Sequence, residues 1–348
     1  MSVELSASRL AAQIGAELVG EDRLLRRVSP LEEAGPDSLC FVAASKYRRQ
    51  LRTTAAGAVI LRAEHRADAP CTCLVTDNPM LAFARAVALL HPRPLPAPGR
   101  HPSAVIAADA RIDDSASIGP LCVIESGADI GADVEIGPGC IVQRDVVIGA
   151  GSRLVASVTV CAGSILGERV LLHPGAVIGR EGFGFAKDGE RWVRIPQIGR
   201  ARLGNDVEIG TNTAIDRGAI GDTVIADGVK IDNLIQVGHN VQIGEHTAMA
   251  ACSGISGSTQ IGRNCTIAGA VGMAGHLHIG DDVHFTGMAM VTRSFAEPGV
   301  YSSGIPAMAN ADWRRNVARF RQLDDLAKRL KRVEEQLEQA VAPSGTAD

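Results

Sequence analysis

A mainly β fold, a parallel β-helix of hexapeptide repeats, is what this sequence predicts, with a small α/β domain before it and helices after it. Two aliphatic ladders and a proline-rich break carry that prediction. Stepping by six from Ile112 gives Ile118, Ile124, Ile130, Ile136, Val142, Ile148, Leu154, Val160, Leu166, Leu172 and Ile178. A second ladder runs Ile225, Ile231, Val237, Ile243, Met249, Ile255, Ile261, Ile267, Met273, Ile279, Phe285 and Val291. No step fails, and neither a helical nor a strand period produces this register. A six-residue repeat is the signature of a parallel β-helix.

Residues 1–100 lack the repeat. They carry a helix-like stretch over Ser8–Ile14, strand-like stretches over Leu39–Ala43 and Ala58–Leu61, and a helix-like stretch over Pro79–Leu90. The run from His91 to Pro98 holds four prolines and reads as a stiff linker. Residues 101–308 form the β-helix. Each repeat is one flat side with its periodic aliphatic pointing inward, and the glycine that commonly follows it is expected at the corner. Three sides make a coil, and coils stack at about 4.8 Å, burying a core no single repeat could bury. The register breaks between Arg180 and Arg202, where Glu181–Trp192 reads as a loop thrown out of the coil. Units resume at Leu203, Ile209 and Ile215, with one short unit around Ile220 resetting the phase.

Residues 309–341 form a helical extension. Leu323, Leu326, Leu330, Val333 and Leu337 alternate at three and four, a narrow seam along which three such helices would pack. Basic residues crowd its first part, from Arg314 to Arg332. They are either a solvated face or a docking patch for an acidic partner.

Composition narrows the class. A formal charge of -4 with 21% charged residues gives no nucleic-acid signature. No apolar run is long enough to span a membrane, and the start carries no secretory leader, so a cytoplasmic protein is expected. The eight cysteines form no CxxC pair and read as reduced core residues.

The chemistry-bearing residues gather between Ile231 and Asn240. His239 stands two places after the inward Val237, so it projects from the prism. His276 lies 37 residues on, about two coils along the same side. Acyl transfer to an amine needs a group that accepts the amine proton, and imidazole titrates where that is useful. It also needs an N–H donor for the tetrahedral oxyanion, and Gly257, one coil beyond His239, is placed to offer one. Asp232, Asn233 and Gln236 stand nearby in sequence.

The string Ile215-Asp216-Arg217-Gly218, followed by Asp232, Asn233, Gln236, His239 and Asn240, resembles the UDP-3-O-(3-hydroxyacyl)glucosamine N-acyltransferases of lipid A biosynthesis. So do Gly182-Phe183-Gly184-Phe185, Trp192, Ile195-Pro196-Gln197-Ile198-Gly199 and Tyr301 to Pro306. The resemblance implies a left-handed β-helix, a homotrimer with active sites between neighbouring prisms, and an acyl carrier protein as donor. No resident cofactor or metal is implied, since 4'-phosphopantetheine arrives on the carrier.

By the same resemblance, His239 is the general base, Asp232 supports it and His276 assists. The Gly257 amide makes the oxyanion hole. Asn233 and Gln236 recognise the acyl 3-hydroxyl, Met290 floors the acyl channel, and Arg293 lies near the phosphopantetheine arm. Phe41 and Tyr47 sandwich the uracil of the UDP-sugar. One departure stands out: Ala44 and Ser45 occupy places where family members often carry Asn-Pro, removing one contact to the nucleotide. The rival readings are the sister UDP-N-acetylglucosamine O-acyltransferase, a zinc γ-type carbonic anhydrase, and a non-catalytic β-helix scaffold.

Overall fold

The computed structural model describes residues 3–341 and divides into two units, Met1–Ala97 and Pro98–Asp348. In the first, helices α1 (Ala7–Ile14), α2 (Arg48–Thr53) and α3 (Pro79–Leu90) surround a five-stranded sheet. Ser6 caps α1 by accepting the Arg9 N–H, and Gly15 ends it in a left-handed conformation. Asn78 caps α3 with Pro79 in the first turn. The strands Arg27–Val28, Ser38–Phe41, Ala58–Leu61 and Thr72–Val75 run parallel, and Glu17–Val19 closes one edge antiparallel. Both faces are covered, so the strands read as apolar runs. Leu39, Ile60 and Leu74 meet α1 and α3, while Cys40, Val59, Leu61 and Cys73 pack with Leu31 and Leu51. The edge strands escape sequence reading because they are short and lack alternation.

The second unit is a three-sided parallel β-helix. Among the described residues its sides are sheets of nine, ten and eleven strands. Most strands are two residues long and pair with the strand eighteen residues on, as Ile118 does with Ile136 and Ile124 with Val142; across the insertion after Arg180 the step is longer, as from Ile178 to Ile215. Every rung of both ladders is buried except Ile112, which packs half-buried against the same core.

A second buried row runs four residues after each rung and was not visible in the aliphatic period. It mixes branched aliphatics such as Val134, Val158, Val207 and Val271 with small residues, Ala116, Cys122, Ala128, Cys140, Ser152, Ser164, Thr213, Thr247, Ser253, Thr259 and Cys265 among them. Hydroxyls in this row join successive coils. Thr247 Oγ1 donates to the Gly262 carbonyl at 2.9 Å and accepts the Cys265 N–H at 3.0 Å. Ser152 does the same between Gly167 and Val170.

Three expectations are corrected. The left-handed backbone position is three residues after the rung, not one, and Asp133, Asp145, Asn212, Asn240 and Asn264 occupy it with φ between 54° and 60°. The glycine directly after the rung answers a different need, close approach of the next coil. A Cβ at Gly137 would stand 1.8 Å from the Val155 carbonyl oxygen. The segment thrown out after Arg180 is a hairpin, Phe185–Asp188 paired antiparallel with Arg191–Arg194. Finally, Ile220 is 82% exposed and forms no side of a coil. The phase is reset instead by a longer corner between strands Ala214–Asp216 and Thr223–Ile225.

The candidate active site

The ten-stranded face carries Gln236–Val237, Gly254–Ile255, Gly272–Met273 and Met290–Val291 on successive coils. Glycines at 254 and 272 leave this face low, and a groove of about 720 Å³ runs along it. His239, Gln236, Asp216, Gly257, Phe183 and Met290 line it.

His239 is held in one tautomer. Its Nδ1 lies 3.1 Å from Asn240 Oδ1. That oxygen already accepts the Ala219 N–H at 2.9 Å, while the Asn240 amide nitrogen donates to the Gly221 carbonyl at 3.2 Å. With the amide so oriented, Nδ1 must carry the hydrogen, leaving Nε2 as a free proton acceptor. Gly257 lies against that nitrogen: a Cβ there would be 2.7 Å from both Cε1 and Nε2. Among the described residues no acceptor takes the Gly257 N–H. A base and an unengaged N–H donor thus stand side by side, the arrangement amide-forming acyl transfer uses.

Asp216 is the residue the sequence reading quoted in a motif but gave no role. It is buried beside the groove, with the Arg180 guanidinium 3.3 Å from its Oδ1. Burial pushes its carboxyl above the ordinary aspartate range, and Arg180, Gln236 and His239 pull it partly back. A Cβ at Gly182 would stand 3.2 Å from Asp216 Oδ2 and 3.3 Å from His239 Cβ, so the base of the hairpin closes over both. Its signal was there, an acid directly after the inward Ile215. Its proximity to His239 depends on how coils align across the longer corner between Asp216 and Thr223, which no period reports.

The other predicted residues of this unit do not gather around His239 alone. Asp232 and Asn233 lie on the eleven-stranded side, in a groove of about 850 Å³ with His173, Lys230 and Met249. Asp232 there accepts the N–H groups of Asn233 and Ala251, and Asn233 accepts that of Thr211. Within one chain Asp232 therefore does not support His239, because a full corner of the prism separates them; Asn240 orients the imidazole instead. His276 is exposed at a corner with φ 60°, two coils beyond Asn240, and does not line the His239 groove. Met290 is 75% exposed over the groove, its N–H donating to Ser303 Oγ at 2.7 Å. Arg293 lies outside it, 5.1 Å from the Phe295 ring centroid.

In the first unit Phe41 and Tyr47 line one cavity of about 460 Å³ with Val28, Pro30 and Phe83. Phe41 stacks on Phe83 at 4.2 Å, and both rings line the cavity. Ala44 precedes the turn Ser45–Tyr47 and supplies no side-chain cap.

Comparison with known proteins points one way. The family model for "UDP-3-O-(3-hydroxymyristoyl) glucosamine N-acyltransferase, LpxD" matches residues 22–89. A UDP-3-O-acylglucosamine N-acyltransferase of Pseudomonas aeruginosa (strain UCBPP-PA14) is 52% identical over 347 residues, 99% of this chain and 98% of that one. One of Coxiella burnetii (strain Dugway 5J108-111) is 47% identical over 331 residues, 94% of this chain and 97% of that one. Among solved structures, the UDP-N-acetylglucosamine acyltransferase of Francisella novicida is similar at 22% identity. It covers 62% of this chain and 73% of its own at a TM-score of 0.48, too slight a likeness to argue from. The chain belongs to the UDP-3-O-acylglucosamine N-acyltransferase family.

Proposed function

We propose that the protein transfers a 3-hydroxyacyl chain from an acyl carrier protein to the 2-amino group of UDP-3-O-(3-hydroxyacyl)glucosamine. The product is UDP-2,3-diacylglucosamine for lipid A. The observation that carries the reading is the tautomer-locked His239 set against the Gly257 amide in an open groove. The amine nitrogen attacks the thioester carbonyl as His239 Nε2 takes its proton, and the Gly257 N–H donates to the oxyanion. Collapse breaks the C–S bond, and the imidazolium returns the proton to the departing thiolate. Gln236 sits where it can bind the acyl 3-hydroxyl, Met290 at the end of the acyl groove, and Arg293 toward the carrier arm. Phe41 and Tyr47 hold the uracil between them.

The separation of Asp232 and Asn233 from His239 fits a homotrimer. In a closed ring the eleven-stranded groove of one prism faces the ten-stranded groove of the next. Asn233 then joins Gln236 across the interface, and Asp232 and His276 act from that boundary.

The test is to incubate purified protein with UDP-3-O-acylglucosamine and 3-hydroxyacyl carrier proteins of several lengths, reading product by mass spectrometry. N-acylated product is expected, falling by about 10²- to 10⁴-fold in His239→Ala with the oligomer unchanged. Acceptance of UDP-N-acetylglucosamine in its place would overturn the reading.

A further inference from the structure

One edge of the prism carries four arginines, Arg144, Arg180, Arg217 and Arg293, and the chemistry above uses only Arg293. From Val142 onward, the residues two places after the rungs of the ten-stranded face are Arg144, Ala162, Arg180, Arg217, His239, Gly257, Gly275 and Arg293. A bulge at Gly179 sets Arg180 opposite Asp216, and the Arg217 N–H donates to the Arg180 carbonyl at 2.8 Å. On the side of His239 away from Arg293, Gln143, Arg144, Arg180, Glu181, Arg194 and Arg217 line a separate cavity of about 550 Å³. Arg180 lines the catalytic groove as well, so the two spaces adjoin.

The charges in this cavity do not balance. Arg194 pairs with Glu181 at 3.0 Å and Arg180 with Asp216 at 3.3 Å. Among the described residues the side chains of Arg144 and Arg217 have no carboxylate partner, since Arg217 Nη2 donates only to the Ala162 carbonyl at 2.6 Å. Arg217 Nε is buried with no acceptor at all. A buried donor left without an acceptor is costly, and chains seldom keep one unless something else meets it. Two planar guanidinium forks converging on one space match tetrahedral oxyanions better than any other common ligand.

We propose that this cavity is an anion subsite that seats phosphate oxygens beside the acyl-transfer groove, with Arg144 and Arg217 as its principal donors. The ligand class is a phosphate ester or a diphosphate. Anion binding stands on the cavity alone. Which reactant supplies the oxygens rests on the function proposed above, since both the sugar nucleotide and the carrier's phosphopantetheine bring phosphate.

The first experiment is calorimetric titration of the full chain with inorganic pyrophosphate at low salt. Wild type should bind it, and Arg217→Gln and Arg144→Gln should each weaken binding by about tenfold. Arg144 is exposed, so its replacement keeps the fold even if that of Arg217 does not. No binding to wild type, or equal binding to wild type and Arg144→Gln, overturns the site. Steady-state kinetics then name the source. A rise in KM for the UDP-sugar that exceeds any fall in kcat assigns the diphosphate. A rise in KM for the acyl carrier protein, absent with an acyl-pantetheine donor lacking phosphate, assigns the donor arm. Unchanged KM for both overturns the link to the reaction. A wild type that binds pyrophosphate but does not turn over would sink the proposed function and leave the subsite standing.

Discussion

Gly257 is where one side-chain atom decides most. An added methyl would stand 2.7 Å from His239 Nε2, inside any normal contact, and the imidazole ring is the part free to yield. Turning the ring takes Nε2 off the attack line and covers the N–H meant for the oxyanion. Gly257→Ala should therefore lower kcat by about 10²-fold or more with little change in KM or melting temperature. A kcat within twofold of wild type would remove Gly257 from the mechanism. Asp216 makes a second prediction through its titration. Its folded pKa lies above its unfolded value, so its contribution to stability is full below the unfolded pKa, about 4. That contribution is lost as pH rises through the folded value. Asp216→Asn does not titrate. Its melting temperature relative to wild type should thus climb as pH goes from below 4 to neutrality, and a difference that stays flat or falls would contradict the burial argument. His239 and Gly257 were legible because they stand eighteen apart in an unbroken register. Asp216 and the tautomer lock by Asn240 were not, because each depends on partners brought in across the irregular segment between Arg180 and Thr223.

The coil is the element of this protein, and its strength is divided between rung and corner. The aliphatic rungs were readable because a single period repeats without a miss. The corner row was not, since Val and Ile alternate there irregularly with Ala, Cys, Ser and Thr, so no single polarity repeats. Their hydroxyls nevertheless satisfy backbone groups that the narrow corner would leave dry. Thr247 bonds the Gly262 carbonyl and the Cys265 amide together. Thr247→Val keeps the volume and loses both bonds, stranding a buried N–H and a carbonyl. The expected loss is about 1–3 kcal/mol of unfolding free energy, read as a shifted midpoint in urea at unchanged slope. A midpoint equal to that of wild type would mean that water or a small backbone shift replaces the hydroxyl. The same logic explains the misplaced glycine role. Sequence shows which residue is small, but whether smallness serves φ or clearance depends on the neighbouring coil.

At the scale of the whole molecule the trimer proposed above draws together the apolar seam of the last helix and the divided site. Helix α4 (Asn310–Phe320) leads into α5 (Leu323–Val341), where Leu323, Leu326, Leu330, Val333 and Leu337 are all exposed along one stripe. A stripe of this kind on a lone chain is an interface in waiting. A trimer closed by it would set Asn233 of one prism against His239 of the next, and that arrangement has an arithmetic consequence. In a trimer of Asn233→Ala chains every site lacks Asn233, and in one of His239→Ala chains every site lacks the base, so both should be nearly inactive. Mixing the two chains before assembly builds some sites from the intact face of each. For random mixing at equal amounts about a quarter of the sites are whole, so activity should return to about a quarter of the wild-type value. Sites confined within single chains would show no recovery at any ratio, because every chain in the mixture lacks one of the two residues.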